Sequence, residues 1–234
     1  MKLPVHIAVI GDGNRRWAEA HGRPAAEGHL AAVPALRTLV DTWRARTAGA
    51  PGRHHLTFWW SSIDNLRRRD PAELDLLFAA YRGFFDDFPA AAPGVELRAY
   101  GRWRELLPAA TAASVTSALE RSVPSSRVLS FLLAYNGDDD LLHAIDALRR
   151  AAPDADAAPA DDALLRAHLA TGDLPPVDLA LRTGGDAHLS NGFLMWHMRN
   201  AQLHFSPALW PDFSAADLDT ALVDFARARR RFGA

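Results

Sequence analysis

Short apolar runs alternate with stretches of helical periodicity along nearly the whole chain, and this alternation limits the folds open to it. Residues 5–10, 56–60, 95–100, 128–134 and 177–181 read as buried strands, with 203–205 a short sixth. Residues 27–47 carry Leu30, Val33, Leu36, Leu39 and Val40 at helical spacing, with Pro34 as a candidate kink. Asp70-Pro71-Ala72-Glu73 supplies an N-cap aspartate, a proline at the first helical position and an acid in the first turn. The helix it opens carries Leu74, Leu77, Phe78, Tyr81, Phe85 and Phe88. Residues 107–121, 137–150 and 161–170 also read as helices, and Ser214-Ala215-Ala216-Asp217 opens a last one with a capping-box pattern. Residues 61–69 and 151–160 read as loops. The pattern predicts a single α/β domain over residues 1–234, a mainly parallel central sheet of about six strands flanked by helices.

In such a sheet, ligands bind beyond the carboxyl ends of the strands. The polar residues gather there: Asp12-Gly13-Asn14, residues 61–69, 135–140 and 182–191. Composition removes several chemistries. With no cysteine there is no disulfide framework, thiolate metal site or cysteine nucleophile. A net charge of −2 gives no case for a nucleic-acid partner. No apolar run is long enough to cross a bilayer, and Leu3-Pro4-Val5 follows the start without a charged leader region. A cytoplasmic protein without stable membrane insertion is the expectation.

Gly11 and Gly13 allow a tight turn and close backbone approach to a ligand. Asn14, Arg15 and Arg16 fall where a helix would begin, a place that favours phosphate. Asp12 could then hold a hard cation such as Mg²⁺, which shares oxygen ligands with phosphates. An ordinary Asp-Gly turn explains the same residues. Ser62, Asp64, Asn65 and Arg68 put a hydroxyl, a carboxylate, an amide and a guanidinium into one loop, which also suits a plain solvated loop. In "LALRTGGDAHLSNGF", Arg182 follows a strand, Gly184-Gly185 free the backbone and Ser190-Asn191 add donors, a plausible diphosphate cradle.

Taken together, "HIAVIGDGNRRWAEAHG", "LTFWWSSIDNLRRR", "LAYNGDDDL", "VDLALRTGGDAHLSN", "LHFSPALWPDF" and "RARRRFG" resemble the cis-prenyltransferase family, undecaprenyl diphosphate synthases and their short-chain relatives, from end to end. The resemblance implies prenyl diphosphate substrates, Mg²⁺ and a homodimer. It implies an allylic diphosphate over Gly13, Asn14, Arg15 and Arg16, near His29 and Arg68, with Asp12 as the metal aspartate. It places Asn14 and Ser62 near the proton lost from the second substrate, and Arg182 and Ser190 in the second diphosphate site. Arg231 and Gly233 match a C-terminal Arg-x-Gly that reaches the active site across a dimer interface in relatives.

Departures from the family pattern cluster on that second site. Gln202 stands where the family has a second metal-binding acid, and it could offer only a weak carbonyl ligand. His188 replaces an arginine and could act as a phosphate donor. Ala25 replaces another arginine, Leu66 an aromatic, and Gly192 is an insertion. Ala134 takes the place of the usual asparagine in "AYNG". In "FWW", Trp59 and Trp60 lie where long-chain relatives keep a tunnel open, Trp60 in place of a small residue. Indole bulk there predicts a product of about two or three isoprene units, unless Trp60 simply packs the core. The expectation is a short-chain prenyl diphosphate synthase. Irregular head-to-middle coupling of the lavandulyl or cyclolavandulyl type is favoured over regular cis-condensation with isopentenyl diphosphate. A non-catalytic partner subunit is the alternative of another class. Asp138-Asp139-Asp140 reads as an acidic first helical turn, not an aspartate-rich metal motif.

Overall fold

The computed structural model describes residues 2–151, 159 and 161–228. Six strands form one sheet: β1 (His6–Ile10), β2 (His54–Trp59), β3 (Glu96–Tyr100), β4 (Arg127–Leu132), β5 (Leu179–Arg182) and β6 (Gln202–Phe205). The order is β3-β4-β2-β1-β5-β6 and every pair is parallel. Strands β1, β2, β4 and β5 are almost wholly buried, which is why they read as continuous apolar runs.

The helices are α1 (Asn14–Ala20), α2 (Ala25–Thr47), α3 (Ile63–Arg68), α4 (Pro71–Asp86), α5 (Trp103–Leu106), α6 (Ala109–Arg121), α7 (Gly137–Ala151), α8 (Asp162–His168) and α9 (Ala215–Arg227). The larger core lies under α2, α4, α6 and α9 and includes Leu36, Leu39, Trp43, Phe85, Phe131 and Trp210. A smaller core on the other face gathers Ala8, Ile10, Leu132, Tyr135, Phe193 and Leu194.

Three expectations change. Residues 61–69 are not a loop: Ser62 caps α3, its Oγ accepting from the Asn65 amide at 2.9 Å, and neither glycine nor proline interrupts the turn that follows. The helix expected over 107–121 begins only at Ala109, with Pro108 as its N-cap, and a separate short helix, α5, precedes it. Pro34, by contrast, lies inside an α2 that runs on to Thr47. Most of the 151–160 loop lies outside the described residues.

The chain leaves β1 toward β2 on one side, and leaves β5 toward β6 on the other. The crevice at this reversal, past Ile10 and its register partner Arg182, is where a doubly wound sheet binds ligands.

Candidate active site

A cavity of about 610 Å³ opens there. Five arginines (Arg15, Arg16, Arg68, Arg69, Arg182) line it against three aspartates (Asp12, Asp64, Asp186), a surplus of positive charge suited to polyanions. Its apolar floor is Ile10, Trp59 and Trp60.

Gly13 sets the turn at the front of the site. Its φ is 109°, and a Cβ there would come within 2.8 Å of the Leu209 side chain. Asp12 follows β1 and projects beside this turn. One of its carboxylate oxygens accepts from Arg182 Nη2 at 2.7 Å and lies 3.5 Å from Arg16 Nη2; the other accepts from the Gly13 amide at 2.6 Å. Its backbone carbonyl accepts from the Trp210 amide and the Thr183 hydroxyl. The carboxylate is one-third exposed to the cavity. One carboxylate completed by phosphate oxygens is a donor set that suits Mg²⁺. Among the described residues no group of three or more His or acidic side chains could hold a metal without such help.

Behind Asp12, α1 packs on α2 so closely that a Cβ on Gly28 would lie 2.1 Å from the Asn14 carbonyl oxygen. This contact sets Asn14 against His29. Asn14 Nδ2 donates to His29 Nδ1 at 3.2 Å, while His29 Nε2 donates to Glu73 Oε1 at 2.8 Å. Glu73, at the start of α4, also accepts from Arg15 at 2.9 Å and lies 3.2 Å from Arg69 Nε. Burial pushes His29 down to about 4, and Arg69 adds to this against the pull of Glu73. Burial alone would raise Glu73, but Arg15, Arg69 and His29 together outweigh it and hold the carboxyl below its ordinary value. The result is a neutral imidazole on an ionised carboxylate.

The sequence reading missed Glu73 and Arg69. Glu73 reads as an ordinary first-turn acid, and only the fold brings it to His29. Arg69 looks equivalent to Arg68 in "RRR", yet Arg69 is largely covered, its side chain 12% exposed. Burial lowers its guanidinium, and its Nη1 has no hydrogen-bond partner on the protein. Arg68 also lines the cavity and is exposed. Asp64 was noticed in sequence without a partner; here it accepts from Asn136 Nδ2 and Asn191 Nδ2, tying α3 to the loops after β4 and β5.

On the β5 side, Arg182 Nη1 donates to the His188 carbonyl at 2.8 Å and to Ser190 Oγ at 3.2 Å. His188 and Ser190 both line the cavity. Gln202 does not. It begins β6 in register with Leu179, at the opposite end of the strand from the Arg182 level, so within this chain the fold keeps it away from Asp12. Arg231 and Gly233 lie outside the described residues.

Trp59 and Trp60 separate. Alternation along the strand turns Trp59 to the smaller core, where it stacks on Phe193 and its Nε1 donates to the Tyr135 carbonyl. Only Trp60 enters the larger core, with ring centroids 4.4 Å from Tyr81, 5.1 Å from Phe131 and 5.5 Å from Phe84. Asp140 is structural: it is buried and accepts from the Ala170 amide and the Thr171 hydroxyl.

Residues 10–233 match the family described as "Putative undecaprenyl diphosphate synthase". The chain is 38% identical to isoprenyl transferase 2 of Bradyrhizobium diazoefficiens, over 98% of this chain and 90% of the relative. It is 35% identical to the (2E,6E)-farnesyl-diphosphate-specific ditrans,polycis-undecaprenyl-diphosphate synthase of Pseudomonas syringae pv. tomato, over 99% and 91%. The crystal structure of lavandulyl diphosphate synthase from Lavandula x intermedia in complex with dimethylallyl diphosphate superposes with a TM-score of 0.87, at 28% identity and 99% coverage of both chains. The parallel sheet, the arginine-lined crevice and these matches agree: the chain belongs to the undecaprenyl diphosphate synthase family and is a prenyltransferase.

Proposed function

We propose that the protein is a short-chain prenyl diphosphate synthase that couples dimethylallyl or geranyl diphosphate with a second C5 diphosphate, head to middle, releasing pyrophosphate. The observation that carries the short chain is Trp60. Its indole fills the space between the sheet and α4 and closes the cavity floor on the side where the apolar core begins. The walls above are polar, so the open volume serves the diphosphates more than a hydrocarbon tail.

Arg69 and the first turn of α1 would hold the allylic diphosphate, and Arg182 with Ser190 the second one. Mg²⁺ held by Asp12 would neutralise charge on the leaving diphosphate. Arg182 would exchange Asp12 for phosphate oxygens as substrate enters. Ser62 and Asn14, which also line the cavity, would face the reacting carbons. Positioning and charge stabilisation supply the catalysis. As in relatives, we propose a homodimer. The head-to-middle mode draws on the likeness to a lavandulyl diphosphate synthase and on a cavity with Asp12 as its metal carboxylate and no contribution from Gln202.

Regular cis-condensation with isopentenyl diphosphate is the second reading, favoured by the 38% and 35% identities to isoprenyl transferase 2 and the undecaprenyl-diphosphate synthase. Incubation with Mg²⁺ and dimethylallyl, isopentenyl and geranyl diphosphates, singly and in pairs, separates the readings once the dephosphorylated alcohols are identified. Turnover of dimethylallyl diphosphate alone is expected. Strict dependence on isopentenyl diphosphate would move the assignment to the regular reaction. Protein that releases no pyrophosphate yet activates another synthase would be a partner subunit. In the same assay Trp60→Ala should lengthen the product; an unchanged length would remove Trp60 as the stop.

A further inference from the structure

Glu73 is buried and does not line the cavity, yet three cationic or polar groups of the cavity wall converge on it. We propose that Glu73 is a positioning residue: through His29 it fixes which end of the Asn14 amide faces the substrates. This inference rests on the prenyltransferase reading of the cavity.

A neutral imidazole has one N–H and one bare nitrogen. The carboxylate of Glu73 accepts from His29 Nε2, so the proton sits there and Nδ1 is left as an acceptor. Only the NH₂ end of an asparagine satisfies that acceptor, and Asn14 Nδ2 lies 3.2 Å away. The other end, Asn14 Oδ1, therefore points away from His29. It is buried and has no partner on the protein, on a residue that lines the cavity. The backbone of Asn14 cannot shift to relieve this, because its carbonyl is packed on Gly28.

A diphosphate has no proton to give at neutral pH, so a bare carbonyl oxygen gains nothing from facing one. It gains from facing positive charge. The allylic fragment develops such charge as its diphosphate departs, and a fixed carbonyl dipole aimed at it stabilises the transition state. The reverse orientation would aim an NH₂ group at the same charge. Glu73 thus selects the helpful orientation through two hydrogen bonds, without meeting substrate. Arg15 and Arg69 keep the carboxylate ionised for that task.

The test compares Glu73→Gln with Glu73→Leu. His29, Arg15 and Arg69 all meet the same oxygen, Glu73 Oε1, so a glutamine keeps its amide oxygen there and still accepts from His29 Nε2. Leucine offers His29 no acceptor. ¹⁵N NMR of the imidazole should report the Nε2–H tautomer in the wild type and in Glu73→Gln, and a mixture of tautomers in Glu73→Leu. The kcat should stay within about threefold in Glu73→Gln and fall about 100-fold in Glu73→Leu, while KM for the allylic diphosphate stays within about threefold in both. A Glu73→Leu variant that keeps the Nε2–H tautomer alone, or that keeps full kcat, overturns the proposal. So does a loss that tracks thermal unfolding with the tautomer unchanged, since that is the mark of a purely structural residue. A wild type that releases no pyrophosphate from any substrate pair would sink the reading of the reaction instead, and the tautomers of the wild type and the variants would still decide whether Glu73 sets His29.

Discussion

On the cavity wall made by α1, α2 and α4, side chains meet side chains: Arg15, Arg69 and His29 converge on Glu73, and Asn14 meets His29. On the wall made by the segment after β5, backbone carbonyls take part as well. Arg182 donates to the His188 carbonyl and Arg16 to the Gly184 carbonyl. That segment also holds Gly184, Gly185, Asn191, Gly192 and Leu194 at positive φ. The first wall is set by which residues are present, the second by the path of the chain. Substitutions should therefore hurt the helical wall through lost side-chain partners. In the loop wall only groups that reach across the cavity should matter greatly.

Asp12 sits where the walls join, and its removal should have the largest effect. Asp12→Asn should lower kcat by about 1,000-fold and raise the Mg²⁺ concentration needed for half-maximal rate, read in a pyrophosphate-release assay. Arg182→Lys comes next, because a lysine cannot hold Asp12, His188 and Ser190 with one planar fork; kcat/KM should fall about 10- to 100-fold. Gly28→Ala tests the helical wall through stability. The methyl would meet the Asn14 carbonyl, and the overpacking should cost about 1–3 kcal/mol, visible as a lower urea midpoint.

A pH titration probes the same wall more gently. Burial is the main cause that takes His6, His29, His55 and His197 down to about 4 in the folded chain, against 6.5 as the ordinary value. Between those values the unfolded chain binds more protons, so stability is full above pH 6.5 and is lost as pH falls toward 4. His29→Gln should remove about 1 kcal/mol of the difference in unfolding free energy between pH 7.5 and 5.5. The smallest effect belongs to His188→Ala. Its carbonyl, not its ring, holds Arg182, so KM for the second substrate should change by less than about threefold. A much larger change would mean that the imidazole itself grips phosphate, and that this wall too works through side chains.

The same contrast explains what the sequence disclosed. Asp12, Asn14 and the arginines after them are contiguous, and the strand before them is a plain apolar run, so the front of the site could be read directly. Buried parallel strands and capped helices were legible for the same local reason. Glu73 was hidden because its meaning depends on a helix 44 residues from His29 folding against it. For Gln202 a motif position says nothing about which end of a strand it occupies; register does. The separation of Trp59 from Trp60 follows from strand alternation and was available in principle.

Trp210 carries a last consequence. Its amide holds the Asp12 carbonyl, its neighbour Leu209 packs on Gly13, and Trp17 Nε1 donates to Asp212. Some 200 residues separate the two ends of this clamp. During synthesis, the loop that carries the most important carboxylate is made first and locked last. A chain released before Leu209 would have its metal loop and all six of its strands, but neither Leu209 under Gly13 nor the amide that anchors Asp12. Such fragments should be inert toward prenyl diphosphates, so that reactive allylic chemistry begins only once the molecule is nearly whole.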